Sequence, residues 1–188
     1  MKPISVLVVA LATVASLAVS IAPASGQADG DAAPFYGVKL PPGYRDWSMI
    51  SIAHVGGNLN DLRVKLGNDI AMKAYREGKL PFPDGTIIAR LAYRQVTSEE
   101  NNALLRSVLE KRLPPEAVSK LLAESFVAGP PTNVQLMIKD SRKYTSTGGW
   151  GFAQFTNGKP DDEAVHKTCF SCHEPGKDRD FVFTRYAP

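Results

Sequence analysis

Both cysteines of the chain fall in one short run near its C-terminus, Cys169-Phe170-Ser171-Cys172-His173. A chain that places its only two thiols and an adjacent imidazole together must fold around whatever those groups hold. On a helix the three fall at i, i+3 and i+4, on one face. Two thiols at that spacing reach the two vinyl groups of a porphyrin edge while the imidazole reaches the iron, and Cys-x-x-Cys-His is the attachment signal for a c-type haem. The stretch "DDEAVHKTCFSCHE" (Asp161 to Glu174) reads as a suitable helix, with acids in its first turn. Three other readings use the same residues. A thiol–disulfide enzyme also uses Cys-x-x-Cys, but in a βαβ unit that this part of the chain does not resemble. Zinc could draw on His166, Cys169, Cys172 and His173, although tetrahedral sites usually take ligands from two separated knuckles. A structural disulfide is the third. On the haem reading, His166 is a solvated or packing histidine near the haem edge.

The other end of the chain bears on this choice. One charge, Lys2, precedes an uncharged apolar stretch from Ile4 to Ile21, and small residues follow from Ala22 to Gly26. That is the pattern of an export signal. We expect a signal peptide over residues 1–28, cut after Ala24, Gly26 or Ala28, and a haem domain over residues 29–188. The mature chain is then periplasmic or otherwise exported, where such haems are attached; an uncleaved anchor is the alternative. The remainder suits one domain with its own core. A formal net charge of +3 gives no reason to expect a nucleic-acid partner. No later stretch is long and apolar enough to span a membrane.

Between the ends, strand-like runs stand close together. Met49–Val55 alternates weakly; Leu62, Val64 and Leu66 alternate with Arg63 and Lys65; Thr86–Val96, Asn133–Lys139 and Gly148–Phe155 also read as strands. A short helix follows Asn68, capped by Asn68 or Asp69 and ended by Gly78, with Ile70, Ala74, Ala71 and Tyr75 on its buried side. Thr97 and Glu100 suit a capping box for a second helix carried by Leu104, Leu105, Val108, Leu109 and Arg112. Pro115 starts a third, running to about Glu124. "AGPPT" (Ala128 to Thr132) reads as a break, Asp29–Pro34 as a loose leader and "DFVFTRY" (Asp180 to Tyr186) as extended. Without β-α-β alternation, the expected class is α+β, an antiparallel sheet with flanking helices.

Several segments taken in order, "GYRDW", "KLPFPDGTIIARLAY", "SFVAGPPTNVQLMIKDSRKY", "GGWGFAQF" and "TCFSCHE…DFVFTRYAP", resemble the cytochrome P-460 family, which includes the cytochromes c′-beta. The resemblance covers more than half of the mature chain. It implies a mostly antiparallel sheet with flanking helices and one covalent haem c per chain. It also implies an iron face open to small ligands, used either to oxidise hydroxylamine or to bind gases such as nitric oxide. Residue by residue, Cys169 and Cys172 match the thioether cysteines, His173 the iron ligand and Arg63 a pocket arginine. Arg90 stands where hydroxylamine-oxidising members carry a lysine cross-linked to the porphyrin. Gln135 stands where they carry a carboxylate. The segment from about residue 104 to 124 matches no family motif and reads as an inserted helical hairpin.

Those departures have chemical consequences. Oxidising hydroxylamine removes protons, so a base near the iron helps. Glutamine takes no proton and arginine keeps its own. This shifts weight toward binding of a gaseous or nitrogenous ligand. The alternatives are a hydroxylamine-oxidising enzyme with a base elsewhere and a six-coordinate electron carrier. For the carrier, Met137 is the first candidate ligand, with Met49, Met72 and His54 behind it. Arg63 and Arg90 could equally pair with haem propionates or acids. If another residue makes the porphyrin link, Lys65 and Lys139 come first. A redox partner protein and a homodimer stay open as partners.

Overall fold

The structure is a computed structural model that describes residues 31–187. The expected signal segment, residues 1–28, lies outside them. Ala32–Ala33 (β1) and Val38–Lys39 (β2) form a small antiparallel ribbon. The main sheet has six antiparallel strands in chain order: β3 (Ser48–Val55), β4 (Asp61–Gly67), β5 (Ile87–Val96), β6 (Val127–Lys139), β7 (Trp150–Thr156) and β8 (Lys159–Pro160). Helix α1 (Asp69–Glu77) joins β4 to β5, α2 (Glu99–Leu109) and α3 (Pro115–Ala123) lie between β5 and β6, and α4 (Glu163–His173) follows β8. The class is α+β, as expected.

Local chemistry explains these boundaries. Asn68 caps α1 by accepting from the Ala71 N–H at 3.0 Å, and Gly78 ends it in the left-handed conformation. Asn157 and Gly158, both at positive φ, make the tight turn from β7 to β8. Ile50, Leu136, Trp150 and Phe155 of the sheet and Ala71, Met72 and Ala74 of α1 all belong to one buried apolar cluster. Ile70, expected on the buried side of α1, is exposed, and Met72 takes its place.

Four further expectations need correction. The prolines of "AGPPT" do not break the chain but lie inside β6. Of β6, strand β7 pairs only with Val134–Lys139, so among the described residues the first half of β6 is paired on one side alone. On β5 the register is irregular around Tyr93, opposite Pro131, where the ladder lacks the N–H a proline cannot supply. The cap of α2 is Ser98, which accepts from the Asn101 N–H at 3.2 Å, rather than Thr97. Ala33, from the expected leader, is fully buried in the ribbon. At the start of the C-terminal "DFVFTRY", Asp180 and Phe181 stand at φ 52° and 64°, left-handed rather than extended, and Val182 is buried.

Helices α2 and α3 pack on each other, but only α3 buries side chains, Val118 and Leu122; Leu104, Leu105 and Val108 of α2 are exposed. Leu122→Ala is therefore expected to cost about 2–3 kcal/mol, as for a truncated core leucine. Leu104→Gln should stay within about 0.5 kcal/mol. Urea denaturation of the two variants checks the contrast.

Candidate haem site

The motif residues are placed by α4, and α4 is placed by a histidine. Asp162 caps the helix by accepting from the Val165 N–H at 3.1 Å. His166, one turn on, has no exposed surface. Its Nδ1–H donates to the Asp162 carbonyl at 2.7 Å, and its Nε2 accepts from the Gln154 N–H of β7 at 3.0 Å. Both ring nitrogens are thus engaged in tying the helix to the sheet. His166 is neither solvated nor available as a zinc ligand, and among the described residues no cluster of metal-binding side chains forms. Cys169 and Cys172 are free thiols, half-buried and exposed respectively. The antiparallel surroundings also lack the βαβ unit of a thiol–disulfide enzyme.

Cys169, Cys172 and His173 line a cavity of about 400 Å³ between α4, the chain after Asp180 and one face of the sheet. That volume falls in the range of small-molecule and cofactor pockets. The strand register explains the floor. Met137 sits opposite Ile88 on one side and Phe152 on the other, giving an apolar row across β5, β6 and β7. Two residues along each strand, on the same face, Lys65, Arg90, Gln135 and Gln154 form a second row across β4 to β7 that is polar throughout. Arg63, two residues from Lys65, extends the cationic end.

His173 sits against the apolar row, its ring 5.0 Å from that of Phe152 and 5.2 Å from that of Phe183. Its Nδ1–H donates to the Phe181 carbonyl at 2.8 Å. A carbonyl only accepts, so the neutral ring carries its lone pair on Nε2, the tautomer an iron ligand needs. Burial pushes the His173 pKa below its ordinary value, against the smaller opposing effect of the Phe181 hydrogen bond. Burial, and then the neighbouring Cys172, push the Cys169 thiol upward.

At the polar end, Asp61 is the shared acceptor. Arg63 Nε lies 2.9 Å from one of its oxygens and Arg90 Nη2 lies 3.2 Å from the other. The Arg90 Nε–H is buried and has no partner. Burial, followed by repulsion from Arg63 and Arg90, lowers the pKa of Lys65. Gln135 donates to Gln154, and Gln154 donates to Asp161, so Gln135 is a satisfied strand amide. Lys139, the other lysine considered for a porphyrin link, is buried against Asp180 and is not part of the lining. Met137 is part of it; Met49 and His54 are exposed, and Met72 is buried in α1. Asp61, Gln154 and Phe152 escaped the sequence reading. A glutamine inside the apolar run "GFAQF" was the one signal for Gln154.

These residues fit haem. An apolar row suits a flat macrocycle, Nε2 suits iron, and the unpartnered Arg90 donor suits an acidic group or a polar ligand. The fold and cavity thus define a class, α+β proteins built around haem. Residues 41–184 match the family model Cytochrome P460, and the chain belongs to the cytochrome P460 family as a haem cytochrome. No curated protein matches the chain. Among the described residues no helix is long and apolar enough to cross a membrane.

Proposed function

We propose that the chain is an exported cytochrome with one covalent haem, held by Cys169 and Cys172 and ligated through His173, whose other iron face binds a small ligand such as NO, CO or a hydroxylamine-like compound. One observation carries this reading: among the described residues, His173 is the lone imidazole in a lining whose polar row offers N–H donors. The haem, when bound, supplies an iron with a coordination position for that ligand. The rest of the chemistry belongs to the chain. Arg90 holds a buried N–H without a partner, and Arg63, Lys65 and Arg90 stabilise negative charge that a ligand gains, because fixed cations act strongly in a low-dielectric pocket. Phe152 and Phe183 shield His173 from water. Export is supported by Lys2 and the Ile4–Ile21 stretch, which also support residues 29–188 as the mature domain and a redox protein outside the cytoplasm as electron partner.

Among the described residues no carboxylate lines the cavity, so hydroxylamine oxidation is expected to be slow. Lys65 favours that second reading, because its lowered pKa makes it the amine in the lining best able to exchange a proton. Residual turnover should therefore rise with pH and vanish in Lys65→Met, while Gln135→Glu should increase it.

A ferrous spectrum with and without CO tests the proposal. The expected spectrum is five-coordinate, with CO binding without displacement of a protein ligand and a Soret band at the ordinary c-type position, because Arg90 carries no cross-linking amine. A low-spin ferrous form that resists CO would favour the electron carrier with Met137. Fast hydroxylamine-dependent reduction of an acceptor would restore the enzyme.

A further inference from the structure

We infer that the buried ion pair between Lys139 and Asp180 is a positioning device for His173, acting through the carbonyl of Phe181. The inference rests on His173 being the iron ligand. Neither Lys139 nor Asp180 lines the haem cavity, and both side chains are more than nine-tenths buried. Lys139 Nζ lies 2.6 Å from Asp180 Oδ1, donates to the Gly148 carbonyl at 3.0 Å and sits 5.0 Å above the Trp150 ring. The second carboxylate oxygen of Asp180 accepts from the Phe82 N–H at 2.8 Å. One carboxylate thus joins the end of β6 to the loop ahead of β5, and fixes the residue next to Phe181.

That residue needs fixing. Asp180 and Phe181 are consecutive non-glycine residues at φ 52° and 64°, in the left-handed region that side chains disfavour. Such a conformation persists where its surroundings over-determine it. Here the Phe181 ring packs 5.4 Å from Phe170 and against Gly148, where any Cβ would overlap it. The result is a carbonyl held 2.8 Å from His173 Nδ1. A buried ion pair is weak support for stability, since desolvation offsets much of its attraction. Its position, one residue from the carbonyl that holds the imidazole, gives it a different use. The strength of the bond from Nδ1–H sets how much electron density the ring gives through Nε2, and so the balance between ferric and ferrous iron.

The test uses the holoprotein, resonance Raman of its ferrous form and its reduction potential. Asp180→Asn, Lys139→Met and the double variant should each lower the frequency of the iron–histidine stretch, and the double variant, which changes no net charge, should also raise the potential, because a loosened carbonyl leaves the ring a poorer donor. Replacing both charges removes the uncompensated partner, so the double variant should regain stability over the single ones while keeping the spectral shift. Gly148→Ala, which displaces the Phe181 ring, should move the band the same way. Val118→Ala, in the core of α3, should lower stability and leave band and potential unchanged. A double variant with the wild-type band and potential would reduce the pair to a structural contact. A wild type without an iron–histidine band would overturn the role of His173, and this inference with it.

Discussion

Cys169→Ala/Cys172→Ala is expected to leave a cytochrome c-maturing host without attached haem. The wild-type chain should gain the mass of one haem and keep it through acid–acetone extraction. The fold explains why the loss should be complete. Both thiols project from the last turns of α4 into the cavity that His173 shares, and among the described residues no other cysteine exists to replace them. Cys172 is exposed and Cys169 is half-buried against the edge of the core, so the substitutions themselves should disturb packing only modestly. The haem-free chain should nonetheless unfold more easily, because a group bound only by the folded state stabilises it in proportion to its affinity. His173→Ala should separate the two roles, leaving attachment intact while changing the spin state of the iron. Extraction of haem from the wild type by acid–acetone would end the covalent reading.

The strands were legible where one face meets the core. Leu62 to Leu66 alternates, and β4 runs through it. The helix of "NDIAMKAYREGK" was legible through its two ends, Asn68 and Gly78, more than through its face, since Ile70 sits at the helical spacing of a core residue and is exposed. Propensity failed where tertiary pairing supplied what a residue lacks. Pro130 and Pro131 look like a break in isolation, but a half-paired strand with register irregularities accommodates them.

The site divides in the same way. Cys169, Cys172 and His173 lie within one helical turn and a half, so local spacing suffices to place them together. Arg90 and Gln135 were picked out by resemblance as separate positions, whereas their pairing across β5 and β6 depends on register, which a single sequence does not display. The polar row that they share with Lys65 and Gln154 was invisible for that reason. So was Asp61, which reads as a loop acid until the fold brings Arg63 and Arg90 to its two oxygens. His166 reads as a solvated or packing histidine, its anchoring role unseen until the β7 backbone is found to occupy its Nε2.

Asp61→Ala is expected to be among the most destabilising single substitutions at the polar end. Asp61 is buried and bridges Arg63 and Arg90, with Lys65 beside Arg90 in the polar row. Removing one partner from a buried ion pair costs about 3–5 kcal/mol, because the remaining charge is stranded. The two arginine side chains keep about a fifth of their surface exposed, so solvent screening reduces the expected loss to about 2–3 kcal/mol. Urea denaturation should show a lower midpoint with an unchanged slope. The cause can be separated from simple loss of a side chain in two ways. Asp61→Ala/Arg90→Met, which removes a charge of each sign, should recover part of the loss, as coupled neighbours do. Added phosphate should stabilise Asp61→Ala more than wild type, since a diffusible anion can stand in for the carboxylate between the arginines. Equal stability of the single and double variants, with no preferential effect of phosphate, would show that Asp61 acts by packing alone. In the holoprotein the same substitution leaves the Arg63 and Arg90 charges uncompensated at the polar row, so the reduction potential should rise and anionic ligands should bind more tightly, while binding of neutral CO should change little.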